Sequence, residues 1–487
     1  VWNWLKRLFG KKTVSKQSFI AFKVVGANLR VFDDDVTYSN PVPVTGAVGS
    51  TTEVTQITPD DLNANANIQV GDVDVSASNP VPVDLGTTST TPITVEQSNK
   101  SLDAFGRQRV SNPLTLFEVQ HQYNEQPLLW DTVTASGGSI THLPNESAVS
   151  LDVTTASGSL VRRQTFQYFR YQPGKSQLII LTGILGAGKT GVRQRIGYFD
   201  ASNGVFFEQD ENNLKIVRRT STSASPVDVV VNQSSWNIDT ADGNGASGFD
   251  IDTSLAQIFV IDLQWLGVGK IRYGFETGNG IVYVHEDPNT NELTTPYMGT
   301  ANLPITYEIE NTSGTASNTS MKQICTTVVS EGGFLREGFP FSANNGTTPV
   351  SVGGSPLPVL SIRPKATFNS ITNTARILPQ DFSVFSDGGT LFYELVHAGS
   401  LTSPGWTSVD TNSIVEYDVS ASAITGGRVI YSGYVSAGSP GKGSSGTDLG
   451  LFSRLPLLGS NALTIRVISI TGPTNDVFSS LNWLETY

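Results

Sequence analysis

The stretch "GVRQRIGYFDASNGVFFE", residues 191–208, constrains the fold of this chain more than any other. Val192, Gln194, Ile196 and Tyr198 alternate with Arg193, Arg195 and Gly197, a period of two that sets the first group on one face of a strand. Asn203-Gly204 follows, a strong hairpin signal, and Val205-Phe206-Phe207-Glu208 supplies the returning strand. The run "QIFVIDLQWLGVGKIRYGFETGNGIVYVHED" repeats the form as strand, turn, strand, turn, strand, with Ile271, Tyr273 and Phe275 on one face and Ile281, Tyr283 and His285 returning after Gly278-Asn279-Gly280. Between Lys189 and Asp262 no ten-residue window has a 3.6 period, so a parallel sheet with crossover helices has nothing to be built from.

That pattern decides a motif that would otherwise read as an ATPase. In "SQLIILTGILGAGKTGVRQ" (176–194), Gly183, Gly188, Lys189 and Thr190 match G-x-x-x-x-G-K-[ST], and Ile258-Phe259-Val260-Ile261-Asp262 has the form of a Walker B strand. A working phosphate loop must open into a helix whose N-terminal amides and dipole face the phosphates. Here a strand follows, so Gly183–Thr190 is expected to be a glycine-rich turn between antiparallel strands, Lys189 a solvated charge, and nucleotide binding only a remote alternative.

Composition agrees with an all-β chain: 15% of residues are charged, 38% are hydrophobic, and glycine alone contributes 47 of 487 residues. One cysteine, Cys325 in the alternating run "SMKQICTTVVS", excludes an intramolecular disulfide framework and reads as a small buried strand residue. The formal charge is −12, yet residues 1–30 carry Lys6, Arg7, Lys11, Lys12, Lys16, Lys23 and Arg30 with no acid, which leaves the rest near −19. An acidic body argues against nucleic-acid binding. No apolar run approaches the roughly 20 residues of a membrane span.

The organisation expected is two antiparallel β-sandwich, jelly-roll-like domains preceded by an extended N-terminal arm. Residues 1–32 form a basic anchor segment. Its start, "VWNWLKRLFGKK", suits a short amphipathic helix, and Trp2, Trp4, Leu5, Lys6, Arg7, Leu8 and Phe9 are its candidate contacts. Three uses compete for it: insertion in a partner protein's groove, a membrane surface, or packing on its own chain. Residues 33–100 read as a Pro/Thr/Ser-rich arm in which "SNPVPV" occurs at 39–44 and again at 78–83, with a looser copy, "SPLPV", at 355–359. Pro41, Pro43, Pro80, Pro82, Pro356 and Pro358 fix extended backbone that cannot donate fully to a ladder, so they suit edge strands or straps. A first sandwich is expected over 101–335, a linker strap over 336–362 and a second sandwich over 363–487.

The search for chemistry yields no catalytic residue, cofactor site or metal site. His121, His142, His285 and His397 are widely separated, no G-x-S-x-G elbow occurs, and the carboxylate pair of a glycosidase is invisible to sequence spacing in an all-β fold. The chain is therefore expected not to be an enzyme and to carry no cofactor. Tyr123, Trp236, Trp265 and Trp406 are aromatics that would stack on sugars if exposed, though most should be core.

Three stretches, "SLDAFGRQRVSNPLTLFEVQHQYNEQPLLWD" (101–131), "RQRIGYFDASNGVFFE" (193–208) and "FVIDLQWLGVGKIRYGF" (259–275), resemble uncharacterised virion structural proteins of tailed bacteriophages, of fibre, neck or head-decoration type. The resemblance covers about 101–335. It implies a virion component anchored by its N-terminus, with other virion proteins as partners and a homo-oligomer, by analogy with fibres a trimer. The alternative is a lectin-like module that recognises host-surface glycans through the C-terminal domain.

Overall fold

In a computed structural model, the described residues are 111–436 apart from 316 and 336, then 457 and 461–486, with short strand pieces at 22–25, 28–31, 34–35, 69–70, 73–74 and 444–445. They are all-β, with one 3-10 turn at Gln233–Ser235. Among them no helix is long and apolar enough to cross a membrane.

Fifteen strands build the first sandwich: β1 (Leu114–Val119), β2 (Trp130–Ala135), β3 (Ser139–Leu143), β4 (Ala148–Val153), β5 (Ser159–Thr165), β6 (Gln177–Ile184), β7 (Val192–Phe199), β8 (Gly204–Asp210), β9 (Asn213–Thr220), β10 (Val227–Asn232), β11 (Gln257–Leu263), β12 (Ile271–Thr277), β13 (Gly280–Asp287), β14 (Ile305–Asn311) and β15 (Thr319–Ser330). One sheet runs β10-β9-β8-β7-β14-β5-β2; the other runs β13-β12-β11-β6-β15-β4-β3, with β1 also on β15. Every pairing is antiparallel. The alternation read from the sequence is the reason. Ile196 and Tyr198 on β7, Val205 and Phe207 on β8, and Ile271, Tyr273 and Phe275 on β12 all face one core between the sheets. Each such fully buried side chain contributes roughly 1.5–3 kcal/mol. The β7–β8 hairpin forms as expected, with Phe199 opposite Gly204. Asp200 Oδ1 accepts the amides of Ser202 and Asn203 at 2.7 and 2.8 Å, and Gly204 has φ +146°.

A second cluster gathers the C-terminal strands β16 (Phe339–Asn344), β17 (Leu357–Pro364), β18 (Arg376–Ser386), β19 (Leu391–His397), β20 (Val415–Asp418), β21 (Arg428–Val435), β22 (Leu463–Ser469) and β23 (Asn475–Thr486). β20-β17-β22-β19-β21 lie in one sheet, and β16-β23-β18 in the other. Trp483 fills this core, and Glu485 beside it is fully buried. Its carboxylate accepts from Ser413 Oγ (2.6 Å), Trp483 Nε1 (2.9 Å) and the Ile414 amide (2.9 Å), which offsets the cost of burying the charge.

Two local expectations are corrected. Cys325 is exposed. The β6–β15 register slips between Leu181 and Gly183, so β15 bulges at Ile324-Cys325 and parity is lost there. The third Pro-x-Pro copy is not a free strap, because Pro358 is buried within β17 opposite Arg466 of β22. β20 joins β17 only from Ser361, so at Pro358 one side of the strand has no ladder to break, and a register shift follows between Pro358 and Leu360. Pro356 is exposed just before the strand.

Candidate functional site

The phosphate-loop letters do not act together. Gly183 is inside β6, where a Cβ would come within 2.8 Å of Lys322 O and 3.3 Å of Ile196 Cδ1. Gly188 packs on the β8–β9 turn; a Cβ there would lie 2.4 Å from Asn212 Oδ1 and 2.6 Å from Glu211 O. Lys189 is half-exposed but not a free charge: Nζ donates to Ser317 O (2.5 Å), Ser317 Oγ (2.7 Å), Thr319 Oγ1 (2.8 Å) and Asn318 O (3.2 Å). Thr190 is exposed. The connection crosses from one sheet to the other and is not a hairpin turn. Its Gly191 amide is already taken by Glu211 Oε1 at 2.9 Å, and β7 follows where a helix would be needed. With a strand in place of the helix and Lys189 turned onto Ser317–Thr319, the stretch lacks the parts of a phosphate loop, and the nucleotide reading is withdrawn. Asp262 of the Walker B lookalike accepts Ser176 Oγ at 2.7 Å and pairs with Arg272.

The outer face of the seven-stranded sheet brings together carboxylates that the sequence keeps far apart. Register places Glu208 of β8 and Glu308 of β14 on either side of Arg195. Arg195 Nε lies 2.7 Å from Glu208 Oε2, and Nη1 lies 3.0 Å from Glu308 Oε1. Lys215 extends the row, at 2.7 Å from Asp210 and 3.9 Å from Glu208. Beside it Phe199 and Phe206 lie with ring centres 4.3 Å apart at a tilt of 36°, and the guanidinium groups of Arg195 and Arg219 both lie over Phe206. Asp210 and Glu211, the middle of the acidic cluster in "FEQDENN", are thus held by Lys215 and the Gly191 amide.

Among the histidines, His121 is fully buried, with Nδ1 2.7 Å from Ile324 O. Burial pulls its pKa down to about 4. His142 Nε2 bonds His121 O at 2.7 Å. Nearby Arg163 is also fully buried, its pKa lowered to about 10 by burial, with Gln323 Oε1 at 2.5 Å and its guanidinium 5.3 Å from the Trp130 ring centre.

The face best suited to a ligand lies on the second sandwich and was missed from sequence. Phe392 of β19 pairs across strands with Tyr434 of β21 on one side and Ile468 of β22 on the other. Three side chains thus stand abreast on the face opposite the core. The two rings are 5.1 Å apart at 46°, and Tyr434 is 69% exposed. One row along the same face, Arg466 donates through both Nε (2.8 Å) and Nη2 (2.5 Å) to Glu394 Oε2, which leaves Oε1 outside the pair. The strands were legible, but which of them are neighbours was not.

Of the four aromatics singled out from sequence, only Trp236 is core. Tyr123 is 82% exposed, Trp265 is half-buried with its ring edge-on to Tyr171 at 6.0 Å, and Trp406 lies under Arg363 at 4.1 Å. The anchor contacts Trp2, Trp4, Leu5, Lys6, Arg7, Leu8 and Phe9, and the straps Pro41, Pro43, Pro80 and Pro82, lie outside the described residues.

No protein-family model matches the chain, and no curated protein matches it. Solved structures do. A beta-glucanase of Bacillus licheniformis aligns at 12% identity over 44% of this chain and 96% of its own, with a TM-score of 0.28. A glycoside hydrolase family 16 endo-glucanase of Bacteroides ovatus aligns at 10% identity over 44% and 99%, with a TM-score of 0.30. The CBM2 module of an evolved Dit protein from Lactobacillus casei BL23 phage J-1 aligns at 7% identity over 47% and 100%, also with a TM-score of 0.30. These values carry no argument about activity. Glycoside hydrolases and a transglycosylase are among the aligned structures, so the expectation that the chain is not an enzyme is withdrawn, and no activity is assigned in its place.

Proposed function

We propose that this chain is a glycan-binding β-sandwich protein displayed on a phage particle, and that the Tyr434–Phe392–Ile468 strip is its sugar-binding surface. The observation that carries the reading is the strip itself, two aromatics and an isoleucine abreast with Tyr434 exposed, beside a polar pair on the sheet. Neighbouring strands are about 4.8 Å apart, so three side chains abreast offer a platform roughly 10 Å long, enough for the apolar faces of two linked sugar rings. Tyrosine presents an apolar body with a polar tip. Glu394 Oε1 offers an acceptor and Arg466 further donors to hydroxyl groups at the edge of such a ring. A shallow strip binds weakly, with a Kd on the order of 0.1–1 mM per site. Several copies on one particle would raise avidity by about 10²–10⁴. The resemblance of residues 101–335 to virion structural proteins supports the particle setting.

The test is a glycan array followed by calorimetry on the full chain. Tyr434→Ala and Phe392→Ala are each expected to weaken the best glycan at least about tenfold, near 1.4 kcal/mol; Tyr434→Ala leaves the melting temperature unchanged because Tyr434 is outside the core, whereas Phe392→Ala, at a half-buried position, lowers it. Undiminished binding by both variants would remove the strip from the reading, and failure of the wild type to bind any glycan would remove the reading itself.

A further inference from the structure

The seven-stranded sheet of the first sandwich ends on β10, Val227–Asn232, which pairs with β9 on one side and with no strand among the described residues on the other. Its ladder with β9 runs unbroken from Val227, opposite Thr220, to Asn232, opposite Lys215. Alternate residues of such a strand aim both backbone groups at the free edge. All its side chains but Val231 are exposed, and Val227 (50%), Val229 (40%) and Val230 (47%) are the apolar ones among them. Both faces are affected: Val227 and Val229 share the face that Val231 turns toward the core, and Val230 lies on the outer one. Other edges of the molecule are blunted. β13 carries an extra residue at Val284 and β21 one at Ile430, bulges that bend a strand out of line, and β16 contains Pro340. β10 has no bulge, no proline and no lysine, and its one charge, Asp228, is held by Arg219 at 2.8 and 2.9 Å.

An edge strand left unblunted is a template for another strand. The residues of β10 suit a copy of itself. A two-fold axis normal to the sheet and passing through Val230 runs two β10 strands antiparallel and sets each side chain opposite one on the same face. Val230 then meets its own counterpart, Val229 meets Val231, and Asp228 meets Asn232. No like charges face each other, the one carboxylate is already paired and gains an amide neighbour, and valine covers valine on both faces. We propose that β10 is a self-pairing edge, at which two copies of this chain join their seven-stranded sheets through an antiparallel β10–β10 contact. A strand of this length spans about 20 Å. Contact along it buries roughly 600 Å² in total, below the about 1,200–2,000 Å² of a stable interface, so the pair is weak and forms where copies are concentrated. This contact depends neither on the aromatic strip of the second sandwich nor on what the strip binds.

Sedimentation velocity on the full chain, from about 10 µM to 1 mM, is the test, and a reversible dimer with a Kd on the order of 0.1 mM is expected. Val230→Lys puts two like charges on the axis at an exposed position. It is expected to weaken the dimer at least about tenfold while the dilute protein melts where the wild type does. Register is read by oxidation in a Cys325→Ser background, which removes the one native thiol. Val230→Cys is expected to give an intermolecular disulfide because it faces its own counterpart, whereas Val227→Cys, about 20 Å from its counterpart, is not. Should Val230→Lys fail to fold, the disulfide decides alone. A chain that stays monomeric at the highest concentration, a dimer untouched by Val230→Lys, or equal cross-linking at the two positions would overturn the proposal. So would a closed trimer, which a two-fold contact cannot build. A monomer whose 227–232 amides gain protection from hydrogen exchange only with an added valine-rich peptide would give the edge to a foreign strand and overturn the second copy.

Discussion

Lys189 ends among four oxygens of Ser317, Asn318 and Thr319, so it ties the β6–β7 connection to the start of β15. Charge-assisted hydrogen bonds of this kind are worth more than neutral ones, although the acceptors left behind by a substitution can be rehydrated at this half-exposed site. Lys189→Ala is therefore expected to lower stability by about 1–2 kcal/mol, read as a reduced urea midpoint. The sequence pattern alone suggested a negligible effect. Mg-ATP and Mg-GTP should leave the melting temperature of the wild type where it is in buffer. A nucleotide-induced rise that disappears in the variant would contradict the structure of the loop. The letters of the motif were legible in the sequence, and so was their failure as a phosphate loop, because the period of two after Thr190 rules out the helix. The oxygen cage was not, because its members lie about 130 residues further along the chain.

At the scale of the element, the hairpin of β7 and β8 tests register. Gly197 faces Phe206 across the ladder, and a Cβ on Gly197 would lie 2.4 Å from Phe206 Cβ and 2.5 Å from its Cα. There is no room to shift without moving a strand. Gly197→Val is expected to cost about 3 kcal/mol or more. Gly278 in the β12–β13 turn has no positive φ, and a Cβ added there would meet nothing within 4 Å, so Gly278→Ala should stay within about 0.5 kcal/mol. Urea unfolding of the pair checks both, and equal midpoints would mean that the β7–β8 register is wrong. Alternation predicted the strands well wherever it was unbroken. It failed at Cys325 because a bulge adds a residue and inverts parity, and bulges leave no reliable mark in sequence.

On the scale of the whole molecule, the basic segment 1–30 and the acidic remainder suit a chain docked by one end to a larger particle. Under the proposed virion role, deleting residues 1–12 should leave the melting of both sandwiches intact and abolish incorporation into particles. Trp2, Trp4, Leu8 and Phe9 would bury enough apolar surface in a partner to contribute on the order of 5 kcal/mol before ordering costs. Purified particles probed for the truncated chain decide it: normal incorporation would remove the anchor.

By itself the sequence determined the class of structure. Period-two alternation, turn dipeptides and the lack of any helical window between Lys189 and Asp262 leave antiparallel sheets as the one way to bury residues such as Ile196, Tyr198, Phe207 and Tyr273 while satisfying the backbone. The tertiary structure alone decided the sites. Glu208 meets Glu308 across Arg195, and Phe392 meets Tyr434, only because particular strands are neighbours. Local propensity fixes which face of a strand a side chain takes. Strand order is chosen by the free energy of the whole packed sandwich, a sum over contacts between residues far apart in the chain, and no local window contains it.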